Sequence, residues 1–599
     1  DAETGDLSVH RLVQALARTA DPNDPHREPQ DIKQARSHAI AMLDDAFPAD
    51  TQNPASWPTA RVLLPHLEAL TSHTQSPPDV DTASLLERMG LFLHGQGAVD
   101  RAISLFHRAL TSRIRVLGED HPDTLTSRNN LAYAYESAGD LGRAMPLYER
   151  TLTDRVRVLG EDHPNTLTSR NNLAGAYESV GDLGRAMPLY ERTLTDRVRV
   201  LGEDHPNTLT SRNNLAYAYE SAGDLGRAMP LYERILTDRV RVLGEDHPDT
   251  LSSRNNLASA YESVGDLGRA IPLYERTLND CVRVLGEDHP DTLSSRNNLA
   301  GAYESVGDLG RAMPLYERTL TDRVRVLGED HPDTLTSRNN LASAYHSAGD
   351  LGRAIPLYER TLNDCVRVLG EDHPNTLTYR NNLAGAYHSA GDLGRAIPLY
   401  ERILNDCVRV LGEDHPNTLI YRNNLAGAYE SVGDLGRAIP LHERTLTDRV
   451  RVLGDDHPDT LTSRNNLASA YHSAGDLGRA MPLHERTLTD RVRVLGEDHP
   501  NTLTSRNNLA GSYESAGDLG RAIPMYERTL ADRVRVLGED HPDTLGSRNN
   551  LAGAYESAGD LGRAIPLYER TLNDCIRVLG EDHPRTQVVR SNLDAARNG

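Results

Sequence analysis

The sequence predicts an all-α solenoid of antiparallel helix pairs, and three observations predict it. The dipeptide His-Pro recurs twelve times at a spacing of 42 residues, at His121, His163, His205, His247, His289, His331, His373, His415, His457, His499, His541 and His583. Nearly everything between these marks repeats as well. Within each copy, apolar residues fall three and four apart along two stretches, and a glycine closes each stretch. A period of about 20 to 50 residues marks a solenoid, whose units each leave an apolar face open until a neighbour covers it. Function is therefore expected from an extended surface.

One copy, Pro122 to His163, shows how each element arises. Pro122 suits the first turn of a helix, where its missing amide is harmless, and Asp120 or His121 can cap it. A stripe of Leu125, Leu131, Ala132, Tyr135 and Ala138 follows helical spacing. Gly139, free to adopt left-handed geometry, ends this first helix. Asp140 then caps a second helix whose buried stripe is expected to be Leu141, Ala144, Met145, Tyr148, Leu152, Val156 and Leu159, with Gly160 as its stop. At about 19 residues this helix spans about 28 Å. Pro146, near its sixth position, is expected to kink it without breaking it. The short Gly-Asp connection forces the two helices antiparallel.

Counting phases divides the chain. Residues 1–78 lack the repeat and are expected to be helical. Residues 79–121 form a degenerate first unit, with Met89 at the phase of Leu131 and Ala102 at that of Ala144. Eleven close copies fill 122–583. Residues 584–599 are a lone first-type helix in which Asn592 and Leu593 keep the register and Gln587, Val588 and Val589 do not. It is expected to cap the last apolar stripe, with truncation as the competing explanation.

Composition narrows the function classes. The chain has 599 residues and a net charge of -22. One repeat, Leu147 to Pro188, carries six acids against five arginines, so the acidity is an even bias without a basic stripe. Nucleic acid and anionic membranes need clustered cations and are disfavoured partners. Lys33 is the only lysine, which leaves no Walker A loop in these residues. Cys281, Cys365, Cys407 and Cys575 share the phase of Arg155. Same-phase residues of stacked helix pairs stand too far apart for a disulfide, so free thiols and a reducing, cytoplasmic setting are expected. No apolar run approaches the roughly 18 residues needed to span a bilayer, and no signal peptide stands at the amino terminus. The chain starts at Asp1 and not at Met, so an excised piece of a longer protein is expected.

The pattern L-A-x-A-Y-x-x-x-G-D-x-x-x-A-x-x-L-Y at Leu131 to Tyr148 resembles the tetratricopeptide repeat. The 42-residue variant, with Leu117 to Pro122 reading L-G-E-D-H-P and Asn129 to Ala132 reading N-N-L-A, looks most like the repeats of kinesin light chain. The resemblance covers about 520 of the 599 residues and recurs in every full unit. It implies a right-handed superhelix whose first helices line a concave groove for extended peptides. It also implies that the second Asn of each pair contacts the peptide backbone: Asn130, Asn172, Asn214, Asn256, Asn298, Asn340, Asn382, Asn424, Asn466, Asn508 and Asn550. An arginine late in the second helix is a further groove contact in that family, matching Arg155, Arg197, Arg239, Arg323, Arg449, Arg491 and Arg533. The four cysteines break that match, which puts recognition of acidic cargo in doubt around Cys365 and Cys407. At the amino terminus, Ser8 to Gln14 resembles the last helix of the winged-helix module in bacterial STAND (NB-ARC type) proteins. Ala55 to Pro58 and Leu63 to His66 look like the connector leading into their repeat sensor. That resemblance implies an NTPase module upstream of Asp1.

Candidate chemistry is sparse. Glu119-Asp120-His121 recurs in every unit, with Asp455 in place of the Glu once, but one His per unit does not supply the three or four ligands that zinc demands, so it reads as a loop cap. No cofactor is expected. No nucleophile stands beside a distinctive His and acid, and many equivalent places are unlike an active site, so catalysis by these residues is not expected. The informative face is polar: Thr126, Asn129, Asn130, Tyr133, Glu136 and Ser137. The Tyr133 phase becomes Gly at Gly175, Gly301, Gly385, Gly427, Gly511 and Gly553, either to admit a ligand or to let neighbouring first helices approach closely. The Glu136 phase becomes His at His346, His388 and His472. The Asn ladder reads either as groove recognition or as hydrogen bonding between helices. His442 and His484 replace Tyr148 at a packing position. The expected function is a non-enzymatic scaffold that holds a protein or extended peptide, as the sensor region of a STAND-type signalling or defence ATPase. The alternative is a structural array that self-associates.

Overall fold

In a computed structural model, the structure describes residues 21, 24, 28–51, 54–72 and 80–598. The described residues hold α-helices and one 3-10 turn, Pro54–Ser56, and no strand. Ser8 to Gln14, read as winged-helix-like, lies outside them. The chain divides into two compact units, residues 1–169 and 170–599.

In the first unit, helices Pro29–Ala46 and Trp57–Ser72 precede the degenerate pair Val80–Gly95 and Val99–Leu117 and the first full pair, Pro122–Ser137 and Leu141–Leu159. Met89 and Ala102 are fully buried at the phases that counting gave them. Gly90 replaces the usual alanine there because a Cβ would sit 2.7 Å from the ring of Phe106. Trp57 is buried, and its indole N–H donates to the Thr51 carbonyl at 3.2 Å.

The second unit stacks the remaining pairs, from Leu183–Leu201 through Leu561–Leu579, and closes with Pro584–Asn598. Its caps follow the sequence reading. His205 is the N-cap of Pro206–Ser221, its Nδ1 accepting from the Asn207 N–H at 3.1 Å. Gly223, at φ 72°, ends that helix while the Asp224 N–H donates to the Tyr219 carbonyl at 2.8 Å. Asp224 accepts from the Arg227 N–H at 3.1 Å, and the Arg227 guanidinium lies 4.2 Å from the centre of the Tyr219 ring. The helix Leu225–Leu243 runs unbroken through Pro230.

The core is more polar than the apolar stripe suggested. Of the second-helix stripe, Ala144 and Tyr148 are buried, whereas Leu141, Met145, Leu152, Val156 and Leu159 are half-buried. Thr151 and Arg155 are buried in their stead, and Ser127 and Arg128 are buried in the first helix. Arg254 of the second unit shows the logic. Only 2% exposed, it donates to Asp280 at 2.6 Å across the two helices of its repeat, and Arg283 reaches the same carboxylate at 3.0 Å. Burial alone would raise the Asp280 pKa, but its bonds to Arg283 and Arg254 hold it below the usual carboxylate value. A buried charge is tolerated because it is paired with a carboxylate.

Within the second unit, successive first helices touch, as Pro248–Ser263 does Pro290–Ser305, while successive second helices make no comparable approach. The first helices therefore line the inner wall. The spiral also closes on itself. His415 Nε2 lies 3.1 Å from the Ser179 carbonyl, and His457 Nε2 lies 3.1 Å from that of Ser221. In both rings Nδ1 accepts a cap bond, so the hydrogen of the neutral ring sits on Nε2 and is donated to the carbonyl. Beside these bonds, a Cβ on Gly223 would meet Pro458 Cδ at 2.6 Å. Each bond joins positions 236 residues apart, so a turn takes between five and six repeats. The His-Pro loops, which the sequence marks as helix caps, are also the seam between turns.

The helix Pro584–Asn598 covers the last repeat: Val589 clusters with Leu545 and Cys575, and Leu593 and Ala596 join the Tyr568 cluster.

Candidate functional site

The inner wall carries a surface that repeats and also varies. Its central feature is a ladder of amides. The Asn256 side-chain N–H donates to Asn213 Oδ1 of the preceding repeat at 3.0 Å, Asn298 to Asn255 at 3.2 Å, and Asn340 to Asn297 at 3.2 Å. The pattern continues through Asn382, Asn424, Asn466, Asn508 and Asn550 to Asn592. In the first unit Asn130 donates to Glu87, which stands at the same phase as the first Asn of later pairs. Of the two sequence readings of these amides, hydrogen bonding between helices is what the geometry shows, and each amide of this ladder remains half-exposed on the wall.

A second row lies beside it. Tyr232 donates to Glu220 at 2.9 Å, and Ser263 of the next repeat donates to the same carboxylate at 2.6 Å. Where His replaces Glu, His388 Nε2 meets Ser431 Oγ at 2.7 Å. Burial raises the pKa of Glu178 and lowers those of His346 and His388. The row carries carboxylates at Glu178, Glu220, Glu262, Glu304, Glu430, Glu514 and Glu556 and imidazoles at His346, His388 and His472.

The arginines stand elsewhere. Arg155, Arg197, Arg239, Arg323, Arg449, Arg491 and Arg533 are buried. Arg323 donates to the Asp333 carbonyl at 2.9 Å, to Ser337 Oγ at 2.9 Å and to Ser294 Oγ at 2.9 Å. These guanidinium groups tie each second helix to the first helix of the next repeat. They are struts of the stack, buried between helices and bonded to backbone and hydroxyl oxygens.

The cysteines at this phase are free and buried. Two of them are matched by a second substitution that single-position reading missed. Opposite Cys365 and Cys407 the usual serine is Tyr379 and Tyr421. The Tyr379 hydroxyl bonds Thr336 at 2.9 Å and that of Tyr421 bonds Thr378 at 3.1 Å. The phenol thus fills the arginine's space and takes over its hydroxyl partner. Opposite Cys575 the residue is Val589; opposite Cys281 it remains Ser295.

The glycines have no close helix to accommodate. A Cβ on Gly301 would meet only the Tyr316 hydroxyl of its own repeat at 3.5 Å, and on Gly427, beside His442, nothing within 4 Å. Close approach of neighbouring first helices is not their reason; they open the wall. Near the carboxyl end the wall forms a cavity of about 350 Å³ between His472, His484, Asn508, Asn550 and Tyr526. His442 and His484 are buried, and His442 lies 3.8 Å from Glu430, beyond the hydrogen-bond reach that the tyrosines have. The Glu-Asp-His-Pro acids are engaged as well: Arg241 holds Asp204 at 2.8 Å, and Arg234 pairs with Glu203. Among the described residues, no cluster of His, Cys, Asp and Glu is placed to hold a metal ion, and no helix is long and apolar enough to cross a membrane.

Repeated helix pairs of this length and inner-wall arrangement define a helical-repeat interaction scaffold. The chain belongs to the tetratricopeptide repeat family. One family model described as Tetratricopeptide repeat matches residues 81–155, 314–365, 339–407, 380–449 and 423–491, and a second matches 166–207, 208–249, 250–291, 292–333, 502–543 and 544–585. No curated protein matches the chain. Among solved structures, it is similar to the nearly identical TPR-like repeats of a Podosopora anserina protein described as a kinesin light chain, at 31% identity over 34% of this chain and 97% of that one, with a TM-score of 0.30. BtubC (BKLC) from P. vanneervenii is 23% identical over 42% of this chain and 93% of that one, with a TM-score of 0.31. A Rap protein complexed with Competence and Sporulation Factor is 11% identical over 62% and 99%, with a TM-score of 0.41.

Proposed function

We propose that this chain is a non-catalytic scaffold whose inner wall holds an extended peptide or protein segment, with basic side chains favoured. The amide ladder carries the reading. Each bonded Asn spends one N–H on its neighbour and keeps a second N–H and a carbonyl oxygen, the pair of groups an extended backbone seeks. Affinity then accumulates along successive repeats. The variants at the Tyr133 phase, Tyr, Gly, and Ser at Ser259, Ser343 and Ser469, set the room for side chains, and the glutamate row sets the preferred sign of charge. Changing Asn298 and Asn340 together to Ala tests this. Binding of basic peptides selected from a random library should weaken about ten-fold or more, roughly 1.4 kcal/mol. Unchanged affinity removes the wall from recognition.

The seam between turns favours a second reading, self-association. Its two faces already fit each other within the second unit, and beside Gly391, Gly433, Gly475, Gly517 and Gly559 a Cβ would meet nothing within 4 Å. Light scattering that stays at the monomer mass as concentration rises would exclude it. The scaffold would equally serve as the sensor region of a bacterial STAND-type signalling or defence ATPase, the role that the Ala55 to His66 stretch motivates. The natural reading frame upstream of Asp1 decides that point: it either encodes a nucleotide-binding module or does not.

A further inference from the structure

The repeat that contains Cys281 is an exception within the second unit. Where the arginine of this phase is kept, its guanidinium is held by three oxygens in the Arg323 repeat: the Asp333 carbonyl, Ser337 Oγ and Ser294 Oγ. Where it is lost at Cys365 and Cys407, Tyr379 and Tyr421 fill the space. At Cys281 the arginine is gone and the tyrosine has not come. A cavity of about 170 Å³ remains, against about 30 Å³ for a water in the liquid. Asp291, Ser295 and Ser252, the counterparts of all three arginine acceptors, line it. The Cys281 thiol stands at its wall, 3.6 Å from Ser295 Oγ, too weak a donor to satisfy what a guanidinium would. Exposed Ser252 and half-exposed Asn255 and Asn256 place the mouth on the inner wall.

We propose that this cavity binds a guanidinium group, presented by an arginine side chain of a peptide lying along the inner wall. The site is the strut pocket of the sister repeats emptied of its own arginine and left open, so its acceptors are already set for a planar, forked donor. A lysine ammonium offers three donors around a point and matches them poorly. The surrounding charge agrees. The neighbouring Arg254 is spent on Asp280 at 2.6 Å, and Asp291 brings a carboxylate to the lining. The inference deepens the peptide reading by naming one side chain and the repeat that takes it.

Methylguanidinium, titrated in the low millimolar range against the intact chain with sodium chloride matched, is the probe. Calorimetry and thermal melting should show saturable binding to one site, and methylammonium should not reproduce it. Cys281→Arg restores the sister sequence and fills the cavity, so it should fold and lose at least ten-fold in methylguanidinium affinity. Ser295→Tyr, the filling that the Cys365 repeat uses, should do the same. Absence of saturable binding, an equal response to methylammonium, or full binding by Cys281→Arg would overturn the site. The Asn298 and Asn340 double variant separates the two ideas. If the inner wall fails as a peptide site, methylguanidinium still binds that variant and the parent alike; if only the cavity fails, peptides bind the parent and methylguanidinium does not.

Discussion

His442 and His484 show how one residue changes the behaviour of an otherwise uniform stack. Tyrosine at this phase keeps its ring in the core and its hydroxyl on a wall glutamate, as Tyr526 does with Glu514 at 3.0 Å. The imidazole is shorter and leaves that bond unmade. Burial pushes both histidines down to about 4 from an ordinary 6.5. The folded state therefore prefers the neutral ring. Their contribution is complete above about pH 6.5 and is lost as pH falls from there toward 4, because the unfolded chain takes up the proton first. The loss amounts to on the order of 3 kcal/mol per site at full separation of the two values. Changing both to Tyr should flatten the melting temperature between pH 7 and 4.5 relative to the parent, as followed by circular dichroism. A parallel decline in both proteins would place the acid sensitivity elsewhere.

At the scale of elements, the sequence made the helix boundaries legible because proline, glycine and the capping Asp and His recur in fixed places. Asp224 and His205 stand in the structure as the caps their positions suggested. The polar interior was less legible. Periodicity sorts residues by apolarity, so it assigned Leu152 and Val156 to the core and passed over Thr151, Arg155 and Arg128, which a solenoid buries between one pair and the next. A 14-residue correlation, Arg with Ser and Cys with Tyr, was in the sequence at Arg155 and Ser169 and at Cys365 and Tyr379. Reading one phase at a time hid it. This coupling between elements is measurable. Cys365→Arg should crowd Tyr379 and destabilise by about 1 to 3 kcal/mol, and Tyr379→Ser should open a cavity at a cost of about 3 kcal/mol. The double variant recreates the strut of the sister repeats, so its loss in a denaturant titration should fall well short of the sum. Simple additivity would mean that the two residues do not share one space.

For the whole spiral of the second unit, the period announced stacking but not the return of one turn upon another. Which phases meet after a turn depends on a small rotation per repeat that no residue type encodes. The His-Pro loops consequently looked like connectors, although His415 and His457 also donate to the turn they lie against. Gly223→Ala and Gly475→Ala isolate this contact. Both impose the same left-handed strain, at φ 72° and 75°, but only the first drives a Cβ into Pro458. Small-angle scattering should show Gly223→Ala more expanded than the parent and Gly475→Ala unchanged. Equal curves for both would mean that the seam does not hold the turns together.

The central claim is that ligand lies along the amide ladder. Hydrogen–deuterium exchange of the full chain, with and without a selected arginine-containing peptide, addresses it directly. Binding along the wall should slow exchange in contiguous first helices, Pro248–Ser263, Pro290–Ser305 and Pro332–Ser347, and leave the second helices Leu309–Leu327 and Leu351–Leu369 near their free rates. Protection confined to the second helices or to the His-Pro seam would contradict it.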